Sequence, residues 1–274
     1  MTRAQPRAHL NSSRLVRYLT ENHMADAAPT GDDVGQKLGD WLNFRQAIAL
    51  HGVLHPEPAS PSPAARMQKA VAVAPEALTR HVQKLRAQLE ESIMLGAPPG
   101  SGLSRIEMPQ AELEEPVDIK TAFEAYRRFY AAHQRQMESS VQKLRAQVRT
   151  QLHQRGEALQ NLAELDAAFE TILNEREAAL LAKMTSLHEK RFVEALKQHL
   201  QKQALATATT TSEASEPSSA PDSSLASSRA SSHANWLIPL RQSMRLALMA
   251  ELDTRLQPTL GLLEALNAHS PRHT

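Results

Sequence analysis

Apolar residues recur at spacings of three and four over most of this chain, the period of a helix that buries one face. Leu15, Val16 and Leu19 follow Ser12 and Ser13, which suit a helix N-terminus, and Val34, Leu38, Trp41, Leu42 and Ile48 predict a second helix beginning after Asp32 or Asp33. Pro56, Pro58, Pro61 and Pro63 forbid continuation. Residues 1–54 therefore read as a small helical head and 55–74 as a Pro/Ala-rich linker. Pro75 can open the next helix, where its missing N–H is harmless, and that helix runs to about Met94 before "GAPPGSG" at 96–102 stops it. After an acidic connection at 103–116, residues 117–204 form the longest helix-compatible stretch, interrupted only by Gly156.

The heptapeptide VQKLRAQ occurs at 82–88 and again at 141–147. Around the two copies apolar residues fall at 78, 82, 85, 89 and 93 and at 137, 141, 144, 148 and 152, with identical spacing. This is an a/d-like seam of barely two heptads. The flanking polar residues differ, so the echo reads as two bundle helices in similar surroundings; a duplicated helix is the alternative.

Charge divides the long stretch at Gly156. Lys120, Arg127, Arg128, Arg135, Lys143, Arg145, Arg149 and Arg155 precede it, against Glu124 and Glu138; Glu157, Glu164, Asp166, Glu170, Glu175 and Glu177 follow, against Arg176. A turn at the glycine would lay two arms antiparallel with opposite charges facing and the stripe Leu159, Leu162, Leu165, Phe169, Ile172 and Leu173 inside. A straight helix through Gly156 is the other arrangement.

Residues 205–234, rich in Ser, Ala and Thr, lack core-forming side chains and are expected to be a disordered linker. Beyond them Trp236, Leu240, Met244, Leu248, Leu252 and Leu256 line one side of a helix spanning 235–267, with a break or kink expected at Pro258 and a tail at 268–274. Such a face must dock either on the protein's own bundle or on a partner.

Composition fits this picture, because the chain has 4% aromatic residues and 9 glycines in 274 residues. The expected fold is all-α, an elongated helical bundle on a long antiparallel hairpin with disordered linkers. Thirty-one basic against 30 acidic residues give a net charge of +1, so no whole-molecule field steers the chain to nucleic acid or anionic lipid. The absence of cysteine excludes disulfides, thiolate metal sites and cysteine nucleophiles. The basic start lacks an apolar signal core, and the longest apolar stretch, 47–54, is too short to span a bilayer, which predicts a cytoplasmic protein without direct membrane insertion.

Chemistry-bearing motifs find little support. His51 and His55 are spaced as metal ligands on one helix face, but Gly52 stands where a zinc protease needs Glu. "GAPPGSG" has no phosphate-loop lysine and follows a helix. No catalytic residue, cofactor or metal site is expected, and the protein reads as non-enzymatic. Two binding surfaces remain. The C-terminal face from Trp236 to Leu256 suits a protein partner, with homo-oligomerisation left open. Arg127, Arg128, Arg135, Lys143, Arg145 and Arg149, beside Tyr126, Phe129 and Tyr130, are the alternative for nucleic acid, against which stand a paired or solvated face and buried aromatics.

The segments "LGDWLNFRQAIALHGVL" at 38–54, "APPGSGLSRIEMP" at 97–109, "YRRFYAAHQRQME" at 126–138, "REAALLAKMTSLHEKRF" at 176–192 and "LMAELDTRLQPTLGLLEAL" at 248–266 resemble a proteobacterial family of unknown function. Its members are encoded beside proteins similar to flagellar-motor or proton-channel subunits and to peptidoglycan-binding outer-membrane proteins of the A type. The resemblance implies a cytoplasmic accessory of an envelope ion-driven complex, an association and not a mechanism. The resulting expectation is a helical interaction or scaffold protein.

Overall fold

The computed structural model describes residues 13–24, 34–55, 73–110, 118, 121–213 and 223–269, with backbone alone at 34, 35, 37, 38, 206–213 and 223–235. Seven helices and no strand occur among the described residues: α1 Arg14–Glu21, α2 Val34–Trp41, α3 Phe44–Leu54, α4 Pro75–Leu95, α5 Glu124–Leu152, α6 Glu157–Glu213 and α7 Ser223–His269. The fold is all-α. No described helix is long and apolar enough to cross a membrane.

The turn at Gly156 exists. This residue has φ +130°, open to glycine but strained for other residues, and its carbonyl accepts the first intrahelical bond of α6 from Gln160 N–H at 2.9 Å. The preceding turn closes by bonds from His153 N–H to Arg149 O and from Arg155 N–H to Leu152 O, both 3.0 Å. Helix α4 begins with Pro75 at its first position, as the proline predicts.

Both copies of the echoed heptapeptide lie on core helices. Leu78, Val82, Leu89 and Ile93 of α4 are buried, as are Met137, Val141, Leu144, Val148 and Leu152 of α5, while Leu85 is partly so. The equivalent arginines also behave alike: Arg86 donates to Asp253 on α7 at 2.6 Å, and Arg145 to Asp166 on α6 at 2.6 Å.

Helix α7 is the centre of the molecule. It packs against α1, α4, α5 and α6, and its buried residues, from Leu237 through Leu240, Met244, Leu248, Leu252 and Leu256 to Leu266, belong to one continuous core. Near its start an aromatic cluster closes the bundle: Phe192 packs against Phe123, Tyr126 and Trp236 with ring centroids 5.3, 5.7 and 5.5 Å apart.

Four expectations need correction. The head at 1–54 is not one unit: α1 contributes Leu15 and Tyr18 to the main core against α7, whereas α3 lies on α6. Its second helix is divided at Asn43, whose side chain accepts from Gln46 N–H at 2.9 Å while Gln46 Oε1 accepts from Asn43 N–H at 3.0 Å, a reciprocal cap that starts α3. The tract expected as linker at 205–234 is partly helical, since α6 runs to Glu213 and α7 starts at Ser223; Ala-containing, glycine-free sequence can extend helices already nucleated by packing. Pro217 and Pro221 lie outside the described residues, as do 56–72 of the proposed first linker and 270–274 of the tail. Finally, of the break or kink expected at Pro258 the break does not occur: α7 passes through Pro239 and Pro258 without ending. Each proline removes one backbone bond, and burial of residues on both sides holds the helix together across the gap.

Leu252→Ala is expected to lower the free energy of unfolding by about 2–5 kcal/mol. Urea denaturation followed by circular dichroism measures it, and a loss well under 1 kcal/mol would contradict a central, close-packed α7. Gly156→Ala is expected to cost about 1 kcal/mol or more through its backbone alone, because no atom lies within 4 Å of the added Cβ.

Candidate functional site

The face from Trp236 to Leu256 is occupied by the protein's own bundle. Leu240, Met244, Leu248, Leu252 and Leu256 are buried, and the Trp236 ring lies between Phe192 and His199. The choice between docking on the bundle and on a partner is decided in favour of the bundle: this face is core in the single chain and is not open for a partner. The apolar energy that a tethered helix would bring to a partner is spent on α1, α4, α5 and α6 instead.

The basic arm is divided by what faces it. Arg145 grips Asp166 with two bonds, Nε to Oδ2 at 2.8 Å and Nη2 to Oδ1 at 2.6 Å. Arg149 reaches Asp166 at 3.0 Å and Glu170 at 2.6 Å. Arg127 pairs with Glu189 on α6. Three of the six candidate cations thus serve the hairpin, which is the expected facing of opposite charges, whereas Arg128, Arg135 and Lys143 remain exposed. Tyr126, Phe129 and Tyr130 are buried and cannot stack on bases. His51 and His55 pair their rings at 4.6 Å at the exposed end of α3, and no group of three potential ligands that could hold a metal occurs among the described residues.

Sequence reasoning missed a buried polar centre where α1, α5, α6 and α7 meet. Glu251, fully buried on α7, accepts a short hydrogen bond from the Tyr130 hydroxyl and another from Gln134 Nε2 at 2.9 Å; Gln134 also donates to Leu181 O at 3.0 Å. One level away, Tyr18 of α1 donates to Ser243 O at 2.9 Å and lies 2.6 Å from Ser243 Oγ, which also accepts from Arg191 of α6 at 3.3 Å. His188 sits beside both tyrosines, with ring centroids 5.1 Å from Tyr130 and 6.4 Å from Tyr18, and neither of its nitrogens has a partner. Only Glu251 inside an otherwise Leu- and Met-rich run signalled this centre in the sequence, and a single acidic residue on an apolar stripe does not reveal its donors.

Burial pushes the Glu251 carboxyl above the usual carboxylate range, opposed by the bonds from Tyr130 and Gln134. Burial, then the Glu251 charge, keeps the Tyr130 hydroxyl protonated. His188, and likewise His133 on α5, is pushed down to about 4, first by burial and then by Arg191 and Arg245 respectively. The centre thus holds one neutral histidine, His188, and a carboxyl satisfied by two donors, a set that fixes helix register. The surface grooves lie elsewhere: about 420 Å³ between 102–106 and α5, and about 450 Å³ at Val73, Leu78, His81 and Gln151.

The family model described as Protein of unknown function (DUF3348) matches residues 1–268. The chain belongs to that family. No curated protein and no solved structure matches the chain.

The two buried histidines set an acid sensitivity. Between their unperturbed value of about 6.5 and their folded value of about 4, the unfolded chain binds protons that the folded chain refuses. Their contribution is complete above pH 6.5 and is lost as pH falls toward 4, on the order of 2 kcal/mol per histidine by pH 5. Glu251 acts in the opposite sense: its contribution is present at low pH and is lost as pH rises through its elevated folded value. Urea midpoints should be lower at pH 5 than at pH 7, and His188→Leu should remove roughly half of the difference. Equal midpoints at both pH values would refute this assignment.

Proposed function

We propose that this protein is a helical interaction protein and not an enzyme, and that it meets its partner through the α2–α3 head. The observation that carries the reading is a set of exposed apolar side chains on and beside α3, a helix with no buried residue: Phe44 is 81% exposed, Ile48 56% and Leu54 55%, and Trp41 at the end of α2 is 41% exposed. Phe44 and Ile48 are one turn apart and share a face. Exposed Trp, Phe and Ile within one short stretch of chain are unusual on a surface that meets only water and are common at the centre of protein interfaces.

The patch also has a firm seat. Arg176 on α6 donates to Trp41 O at 2.7 Å and places its guanidinium 5.6 Å from the Trp41 ring centroid. Asn43 and Gln46 cap the start of α3. The partner therefore meets a pre-formed surface, which lowers the ordering entropy lost on binding. The family resemblance supplies the first partner class to test, a membrane-embedded ion-driven complex.

The double variant Phe44→Asp/Ile48→Asp is expected to keep the wild-type circular dichroism spectrum and melting temperature while losing the membrane-complex subunits that co-purify with the wild-type chain from native cells. Recovery of the same subunits in the same amounts by both proteins would sink the reading.

A further inference from the structure

The segment after α4 runs as a wall along α5. Gly100 and Gly102 have φ +71° and +72°, the left-handed region that glycine tolerates, and they turn the chain back over the helix. Gln136 of α5 holds the wall in place, accepting from Ser104 N–H at 2.8 Å and donating Nε2 to Ser92 Oγ of α4 at 3.1 Å. Leu103 and Ile106 pack against the main core from the same segment. Between wall and helix lies the groove of about 420 Å³, within the range of small-ligand sites.

The groove's charge is one-sided. Its lining includes Arg135, Ser139, Ser140 and Lys143 and contains no carboxylate. Arg127, Arg145 and Arg149 of the same helix are each neutralised by α6, yet no described residue forms an ion pair with Arg135 or Lys143. Positions 135, 139 and 143 are successive turns of one helix face, so the cations stand about 12 Å apart along the axis with Ser139 between them. Long flexible stems let a guanidinium and an ammonium close from two sides on an anion seated at the serine hydroxyls.

We propose that this groove binds a small soluble phosphate monoester, with the phosphate at Ser139 and Ser140 between Arg135 and Lys143 and the organic part along the 102–106 wall. A phosphate offers several acceptor oxygens to a guanidinium, an ammonium and two hydroxyls, and no lining carboxylate repels it. The site differs from a phosphate loop, because its charge comes from a helix face and the glycine turns only shape the wall.

Isothermal titration calorimetry of the full chain in low-salt buffer, with inorganic phosphate, adenosine monophosphate and adenosine as probes, tests the assignment. Saturable binding of both phosphates and none of adenosine is expected. Affinity for adenosine monophosphate should fall roughly tenfold or more in Arg135→Gln/Lys143→Gln, whose exposed positions leave the circular dichroism spectrum unchanged. Gln136→Ala, which retains both cations but releases the wall, should weaken adenosine monophosphate more than inorganic phosphate. The assignment is overturned by absence of saturable phosphate binding, by equal binding of adenosine and its monophosphate, by unchanged affinity in the double variant, or by binding confined to a single-stranded oligonucleotide.

Discussion

Burial of the apolar face of α7 against four neighbouring helices is the constraint on which the rest of the structure depends. Gln242, Gln257 and Glu264 of α7 face water, but on the side that meets α1, α4, α5 and α6 three polar side chains are satisfied by neighbouring helices. Ser243 is met by Tyr18 and Arg191, Glu251 by Tyr130 and Gln134, and Asp253 by Arg14 at 2.9 Å and Arg86 at 2.6 Å. These three stations join α7 to all four neighbours. Hydrophobic burial brings the helices together without direction; the polar stations allow only one register, since a slip would strand a buried carboxylate.

Charge is distributed by the same logic. The α5–α6 hairpin consumes arginines wherever acidic residues face them, and the Arg145–Arg149–Asp166–Glu170 network is largely shielded from solvent, so its bonds are stronger than those of an exposed pair such as Arg105–Glu107. What the hairpin leaves over defines the surface available for binding. Arg135 and Lys143 border a polar groove, and the apolar residues of α2–α3 crown the opposite kind of surface, one suited to another protein. The two features use different chemistry and lie on different helices, so the ligand and the partner proposed for them would not compete for one surface.

Much of the architecture was legible in the chain itself. Helical period, the proline at the start of α4, the glycine turn and the opposed charges of its arms are local signals, and local signals survive in any tertiary setting. The echoed heptapeptide was legible as two core helices because its Val and Leu spacing matches a buried seam. Breaks and continuations were less legible. Asn43 divides a periodic stretch through a three-residue cap, and α7 continues through Pro239 and Pro258 because packing on both sides outweighs one lost bond at each.

By itself, the sequence determined that the protein is built from helices, where most of them begin, and which faces are apolar, since these depend on residues within a few turns of one another. Only the tertiary structure decided that the C-terminal helix is the core and not a docking arm, that half of the basic arm is neutralised, and that Glu251 is sheltered by Tyr130 and Gln134. Those outcomes depend on which helices become neighbours across more than a hundred residues of chain, and one apolar face fits its own bundle or a partner equally well until the competing packings are compared.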